Sequence, residues 1–491
     1  MLSWILAAIA FSPIVQASKF NPLQHSGPAS PYFDAPESDD IGYETPDGCV
    51  VDQAAYLVRH GSRYPEPGSF GGWQSLFWKI QNATFTASGP LAFLPSWVPP
   101  VDDIPHEPLF LTSNGAREAF NLGVQLREEY GFTPGGSNVT VWSAGQQRVV
   151  DTATYFVRGY LSQGNYIGLT DANQGTIVTL PDSVNYTFAN SLTPSAACPN
   201  YAVGTNSTIV NSFRASYRGG QARRLNKYLH GLVLDENDVG VMGDLCGFLA
   251  ALNGDRRFCN IFADDDWLNY EYAHDLNYYY SPGAGNPIAA ATGFPWVKAV
   301  ADLFDIGPKS TTSNGTFTPG PLLMGFTHDN NLPPVLAALG IWNDSRTSPL
   351  SPTKPDPRRQ FRASHVVSFR GYIALERRAC ERPLKGSVHH EAGVVNPIPG
   401  TGSDAEHYVR IRVNRAPQPI PGCDDGPGAS CRLAPFLQYV EKRGNISGDF
   451  IETCGLQSVG NATSVASFFT NIPEDSIIST IDAGNVLPLA S

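Results

Sequence analysis

The heptapeptide Arg59-His60-Gly61-Ser62-Arg63-Tyr64-Pro65 places two guanidinium groups around one imidazole. That combination suits a phosphate ester, because each guanidinium presents a planar fork of donors matched to phosphate oxygens. A neutral imidazole can attack phosphorus near and below neutral pH. Gly61 lets the backbone turn tightly against a ligand. The bland alternative is a surface turn with solvated charges. A chance match to five fixed residues arises in roughly one chain per several thousand of this length, so that alternative starts low.

Two further groups belong with this turn. His328-Asp329 follows the apolar stretch Leu322 to Thr327, and Arg148 follows Val139 to Trp142. An isolated His-Asp pair means little, since His274-Asp275 occurs as well, inside a helical block. Position favours His328-Asp329, which shares with His60 a place just beyond an apolar strand. In an open α/β sheet, ligands bind beyond the carboxyl ends of strands. His60, His328-Asp329 and Arg148 therefore form a constellation at three strand ends.

The elements that must carry these groups are legible in outline. Val51 to Val58 reads as a buried strand bounded by Gly48 and Gly61. Glu66 to Pro108 is rich in Gly and Pro, with one helix from Trp73 to Gln81. Asn114 to Tyr130 spaces its apolar residues as a helix does, with Ser113 or Asn114 as cap and Gly131 as stop. Val139 to Trp142 is a strand and Val149 to Leu161 a helix. From about 190 to 294 no strand is convincing, and Asn211 to Leu234 and Val239 to Leu252 read as helices. Leu322 to Thr327 is a third strand, followed by a helix from Pro334 to Leu339. Val366 to Arg377 and Tyr408 to Val413 are late strands. Alternating strands and helices imply an α/β fold, a mostly parallel sheet with helices on both faces. The expected organisation is a discontinuous catalytic domain, 49–190 and 295–491, interrupted by a helical insertion at 191–294. Residues 18–48, rich in Pro, Ser, Gly and Asp, read as an arm.

Composition excludes some partners. Of 491 residues 42% are hydrophobic, enough for a large core, and only 16% are charged, with a net charge of −12. Nucleic acid and anionic membrane both want a basic surface, so neither is expected as partner. The first 17 residues read as a cleaved signal: Leu2 to Val15 is apolar, broken by Pro13, and Val15-Gln16-Ala17 fits the cleavage pattern. Acceptor sequons for N-glycosylation stand at Asn82, Asn138, Asn185, Asn206, Asn314, Asn343, Asn445 and Asn461. Eight cysteines, an even number, fit a disulfide-bonded exported protein, extracellular or in a cell wall. They allow about a hundred pairings, and proximity suggests only Cys246 with Cys259 and Cys423 with Cys431. None forms a Cys-x-x-Cys pair, so zinc is a poor reading.

These segments together resemble the histidine acid phosphatases, and within them the fungal acid phosphatase and phytase branch. The Arg-His-Gly-x-Arg-x-Pro signature is complete at Arg59 to Pro65. Ser143-Ala144-Gly145-Gln146-Gln147-Arg148-Val149 is similar to the family's second arginine block, and Thr327-His328-Asp329-Asn330 to its His-Asp block. Leu336 to Gly340, Asp275 to Tyr280 and Gly283 to Pro287 extend the likeness, which covers roughly Cys49 to Gly455. It implies a phosphoglycerate-mutase-like fold, His60 as nucleophile, Arg59, Arg63, Arg148 and His328 as phosphate ligands, and Asp329 as proton donor. It also implies disulfides joining Cys49 with Cys380, Cys198 with Cys454, Cys246 with Cys259 and Cys423 with Cys431. Trp142 departs from the pattern, standing where some relatives carry arginine.

The implied chemistry is hydrolysis of small phosphate monoesters through a phosphohistidine, with no metal or cofactor, in acid. A reference Asp titrates at about 3.9, so a protonated Asp329 belongs to acidic solution. Phytase is the alternative, and it wants extra cations at the pocket mouth. From Glu66 to Phe110 the sole Lys or Arg is Lys79, against Glu66, Asp102, Asp103 and Glu107. Arg214, Arg218, Arg223, Arg224 and Lys227 read as a solvated helix face. A catalytically silent cell-wall glycoprotein would have lost His60 or Asp329. A sugar-phosphate mutase shares the Arg-His-Gly start, but the signal and Asp329 disfavour it. A homo-oligomer stays open.

Overall fold

The computed structural model describes residues 20–37, 41–132, 138–162, 174–182, 187–204, 206–308, 317–343, 349–381 and 405–482. The predicted signal and the sequons at Asn185 and Asn314 lie outside them. In chain order the first half runs β1 (Cys49–Arg59), α1 (Pro67–Gln81), β2 (Thr86–Ala87), α2 (Ser113–Tyr130), β3 (Val139–Ala144), α3 (Gln147–Leu161) and β4 (Gln174–Leu180). Next come α4 (Ser207–Leu225), β5 (Leu229–His230), α5 (Glu236–Asn253), α6 (Asp264–Tyr280) and α7 (Ala289–Ile306). The remainder is β6 (Leu322–Thr327), α8 (Leu332–Leu339), α9 (Ala363–Val366), β7 (Tyr372–Cys380) and β8 (Glu406–Val413). The chain closes with β9 (Ala416–Gln418), β10 (Cys431–Arg432), α10 (Leu433–Ser447), α11 (Phe450–Thr453) and β11 (Ile477–Asp482).

The main sheet has the order β10-β8-β7-β1-β6-β3-β4-β11, with β9 on β8. Its centre is parallel: β1 pairs with β6, β6 with β3, and β3 with β4. Antiparallel strands flank it, β7 on β1 and β11 on β4. Ala54 to Arg59 of β1 and every residue of β6 are buried, as parallel strands covered on both faces require. Helices α2 and α3 pack together, and α3 covers β3, β4 and β6. Helices α7, α8 and α10 form a second packed group.

Several elements differ from their sequence-based bounds. Helix α2 is capped by Thr112, whose hydroxyl accepts from Gly115 N, and Gly131 ends it at φ 58°. The predicted strand from Val366 splits, because a turn closes from Gly371 N to Ser368 O and β7 begins only at Tyr372. The first predicted helix of the 190–294 block stops at Leu225, before the two-residue strand β5 that pairs with β2. The boundary at 294 falls within α7, which carries Pro295 and packs on α8 and α10.

A second core gathers Trp73, Leu76 and Trp97 with Leu225, Met242, Leu245, Phe258 and Trp267. It joins the Gly- and Pro-rich stretch after β1 to the helical block. The stretch read as an arm is laid against the body of the protein, where Ser30 O accepts from Phe369 N. Cys49–Cys380, Cys198–Cys454, Cys246–Cys259 and Cys423–Cys431 are the four disulfides. Asn82, Asn138, Asn206, Asn343, Asn445 and Asn461 are all exposed.

Candidate active site

The backbone around His60 is fixed from three directions. His60 N donates to Thr327 O at the end of β6, and its carbonyl accepts from Arg370 N, both at 3.0 Å. Gly61 packs against Gly115 in the first turn of α2, where a Cβ would meet Gly115 O at 2.5 Å. Gly61 N donates to Thr152 Oγ1 on α3 at 3.1 Å. Ser62 binds Glu118 of α2 twice, through its amide at 2.9 Å and its hydroxyl at 2.7 Å. The glycine predicted to permit a tight turn against a ligand is thus equally a packing requirement against α2.

The buried imidazole of His60 donates from Nδ1 to Gly61 O at 2.9 Å. That contact places the ring proton on Nδ1 and leaves the Nε2 lone pair for attack. Burial, then the charges of Arg59, Arg148 and Arg63, hold its pKa well below the usual histidine value. The ring stays neutral, and hence nucleophilic, into acid.

Each cation has a structural hold. Buried Arg59 donates to Pro28 O and Val367 O, lies 4.6 Å from the ring centroid of Phe369, and pairs with Asp329 at 2.9 Å. Arg63 pairs with Glu66 at 2.7 Å. Arg148 sits in the first turn of α3, not on a strand, and donates from Nη2 to His328 Nδ1 at 3.2 Å. Burial and the neighbouring Arg63 lower its pKa to about 10. The rings of His60 and His328 lie 5.8 Å apart, edge to face. Nε of Arg59, Arg63 and Arg148 and Nε2 of His328 are buried with no hydrogen-bond partner among the described residues. Four such donors beside one neutral imidazole fit a multivalent oxyanion.

Asp329 follows β6 and lies against Arg59. Burial pushes its carboxyl up, but Arg59 and then Arg63 outweigh it and hold it below the ordinary carboxylate range. The structure thus brings His60, Arg59, Arg63, Arg148, His328 and Asp329 into one cluster. It keeps the decoy apart: His274 packs at a tilt against Tyr270, and Asp275 accepts from Arg359 and from Ala363 N. Trp142 lies wholly in the core, its indole donating to Phe468 O at 3.0 Å, so it forms no part of a pocket rim.

Two residues that sequence reasoning missed join the site. Asp182, just beyond β4, accepts from Gly145 N at 3.0 Å and lies 3.9 Å from His328 Nε2. Its strand went unrecognised, so it had no strand-end position to flag it. Tyr278 of α6 donates to Asp329 Oδ2 at 2.8 Å. The sequence marked it only as part of Asp275 to Tyr280, a stretch similar to the family with no role attached. Of the helical block's cations, Arg223 and Lys227 are exposed, whereas Arg224 pairs with Asp266. Arg214 and Arg218 are half-buried and act on the half-buried Asp244, which also feels Glu66.

The description histidine phosphatase superfamily, branch 2, matches residues 50–414. The chain is 28% identical over 461 residues to an acid phosphatase of Komagataella pastoris, spanning 92% of this chain and 90% of that one. It is 28% identical over 450 residues to a phytase of Candida albicans, spanning 90% and 88%. Among solved structures, the phytase from D. castellii superposes with a TM-score of 0.76 at 25% identity, covering 91% of this chain and 90% of its own.

Proposed function

The chain belongs to branch 2 of the histidine phosphatase superfamily, and on that footing we propose that it hydrolyses phosphate monoesters by double displacement at His60. The observation that carries this reading is a neutral His60, its Nδ1 proton held by Gly61 O, beside buried guanidinium Nε donors that have no hydrogen-bond partner among the described residues. Nε2 attacks phosphorus in line and the P–O bond to the alcohol breaks. Arg59, Arg63, Arg148 and His328 hold the phosphoryl oxygens as charge develops on them. Protonated Asp329 gives its proton to the leaving oxygen. It then takes one from the water that displaces His60 from phosphorus. The arginines supply the positive charge, so the chemistry needs no metal.

A broad acid phosphatase is the reading we favour over a phytase. Glu66 already neutralises part of Arg63, and Asp244 offsets Arg214 and Arg218, so the mouth offers little surplus charge for a polyphosphorylated ring. The six exposed sequons and four disulfides support export and glycosylation. The second core supports a helical insertion, 191–294, that packs with the 67–101 stretch.

His60→Ala should cost about 10³-fold or more in turnover with the fold intact. Acid quench of the wild-type enzyme with labelled substrate should trap an acid-labile, base-stable phosphoprotein. A folded His60→Ala enzyme that keeps a substantial rate would remove His60 from the nucleophile's role. Initial rates on an aryl phosphate and on phytate, from pH 2 to 7, separate the two substrate readings.

A further inference from the structure

Asp329 is held by two groups from different parts of the fold, and both hold the same oxygen. Arg59 Nη2, at the end of β1, lies 2.9 Å from Oδ2. Tyr278 Oη, on α6 of the helical block, donates to Oδ2 at 2.8 Å. Among the described residues no hydrogen bond or ion pair is made to Oδ1.

We propose that Tyr278 is a positioning residue for proton transfer, clamping Oδ2 of Asp329 with Arg59 so that the transferable proton sits on Oδ1. This rests on the reading of Asp329 as general acid. The chemistry follows from the donors. Arginine and a phenol both bring hydrogen to Oδ2, which leaves no room there for the carboxyl's own proton. Burial and the charge of Asp329 raise the Tyr278 hydroxyl well above its ordinary pKa, so it stays a donor throughout the acid range. As the P–O bond breaks, its electron pair moves to the leaving oxygen, which takes the proton from Oδ1. The carboxylate left behind is stabilised by the same two donors on Oδ2. Tyr278 is buried at 8% exposure, so the packing of its ring aims the hydroxyl at Asp329.

The charged and titratable groups facing Asp329 are Arg59, Arg63, Arg148, His328 and Tyr278. Removing the tyrosine hydroxyl deletes a donor to the ionised form, so the carboxyl becomes a weaker and less oriented acid. Two readouts should move in Tyr278→Phe, which keeps the ring and its packing. Turnover of an alkyl phosphate should fall about tenfold, a fraction of the ~10²–10⁴ that general acid catalysis supplies, while an aryl phosphate with a good leaving group changes little. The basic limb of kcat/KM should shift to higher pH.

Asp329→Asn alone and the double variant Asp329→Asn, Tyr278→Phe complete the test. Asp329→Asn should slow the alkyl ester far more than the aryl ester, and adding Tyr278→Phe should not widen that gap further, because the hydroxyl acts through the carboxyl. If Asp329→Asn slows both esters equally, the general-acid reading fails. Suppose instead that Asp329→Asn is selective. Then Tyr278→Phe lowering both esters alike, leaving the basic limb in place, or widening the gap in the double variant overturns the role of Tyr278 alone.

Discussion

The imidazole of His60 has to be unprotonated in a solution acidic enough to protonate a carboxyl, and the surrounding charges reconcile the two demands. Burial and three arginines strip the proton from His60, and the same arginines hold Asp329 below its usual range. Both limbs of the pH–rate profile are thereby carried toward acid, so the acid limb should lie below about 6.5, the ordinary histidine value. Arg148→Ala tests this account. Loss of that cation lets His60 bind a proton more readily, so the acid limb of kcat/KM should move up in pH. The rate on alkyl and aryl esters should fall alike, because in the proposed reaction Arg148 holds the phosphoryl group common to both. An unmoved acid limb would mean that Arg148 adds nothing, and that burial with Arg59 and Arg63 depresses His60. The six residues of the central cluster were legible in the sequence because each follows a strand or sits in a compact motif. Asp182 and Tyr278 were not, since their importance lies in what they touch: His328 in one case and Asp329 in the other.

At the scale of elements, the site depends on how closely α2 approaches the turn after β1. Gly115, in the first turn of α2, has no room for a side chain. A Cβ there would meet Ser62 N at 2.7 Å, and Ser62 O closer still. Gly115→Ala must therefore push the Arg59–Arg63 turn off β6 or lift α2. Displacements of about 1 Å cost reacting groups on the order of 10²-fold in rate, so kcat should drop by that order. A thermal midpoint lowered only modestly beside such a drop would locate the damage in the turn; an unchanged kcat would show that the close packing is not needed for catalysis. Strands β1, β3 and β6 were readable as short apolar runs ending in polar groups. Helices α6 and α7 were not. Trp267, Tyr270, Tyr272, Leu276, Tyr278 and Tyr279 bury most of the circumference of α6, which leaves no single apolar stripe to recognise. Pro295 inside α7 reads as a stop signal, yet the helix continues through it. Likewise Val366, Val367 and Phe369 look like strand. Val366 instead ends α9, and Val367 and Phe369 lie just beyond it; their apolar side chains fill both cores, while the Val367 carbonyl holds Arg59.

The whole molecule carries the stability cost of acid conditions through histidines buried away from the reaction. His274 and His365 both have pKa values pulled down, chiefly by burial, and that of His365 falls to about 4. His365 packs edge-on against Phe33, near Arg362, His25, Arg359 and Glu271. A histidine in the unfolded chain titrates near 6.5. Between that value and about 4 the unfolded chain binds a proton that folded His365 refuses, so the contribution of His365 to stability declines as pH falls through this window. Below it the carboxylates take over. Glu271, held at about 2 by His25 and Arg359 against the cost of burial, contributes stability that is lost as pH drops from about 4.3 toward that value. Asp275, raised to about 6 chiefly by burial, works in the opposite sense as pH falls through the same range, so the histidine contribution has to be read as a difference between parent and variant. His365→Gln isolates one contribution. Whatever its stability at pH 7, the variant's loss between pH 6.5 and 4 should be smaller than the parent's, by about 2 kcal/mol. Urea unfolding at pH 7, 5.5 and 4, on parent and variant, gives the difference of slopes directly. Equal slopes would mean that His365 protonates as readily in the folded protein as in the unfolded chain, and that the acid sensitivity arises elsewhere in the ion network around Glu271.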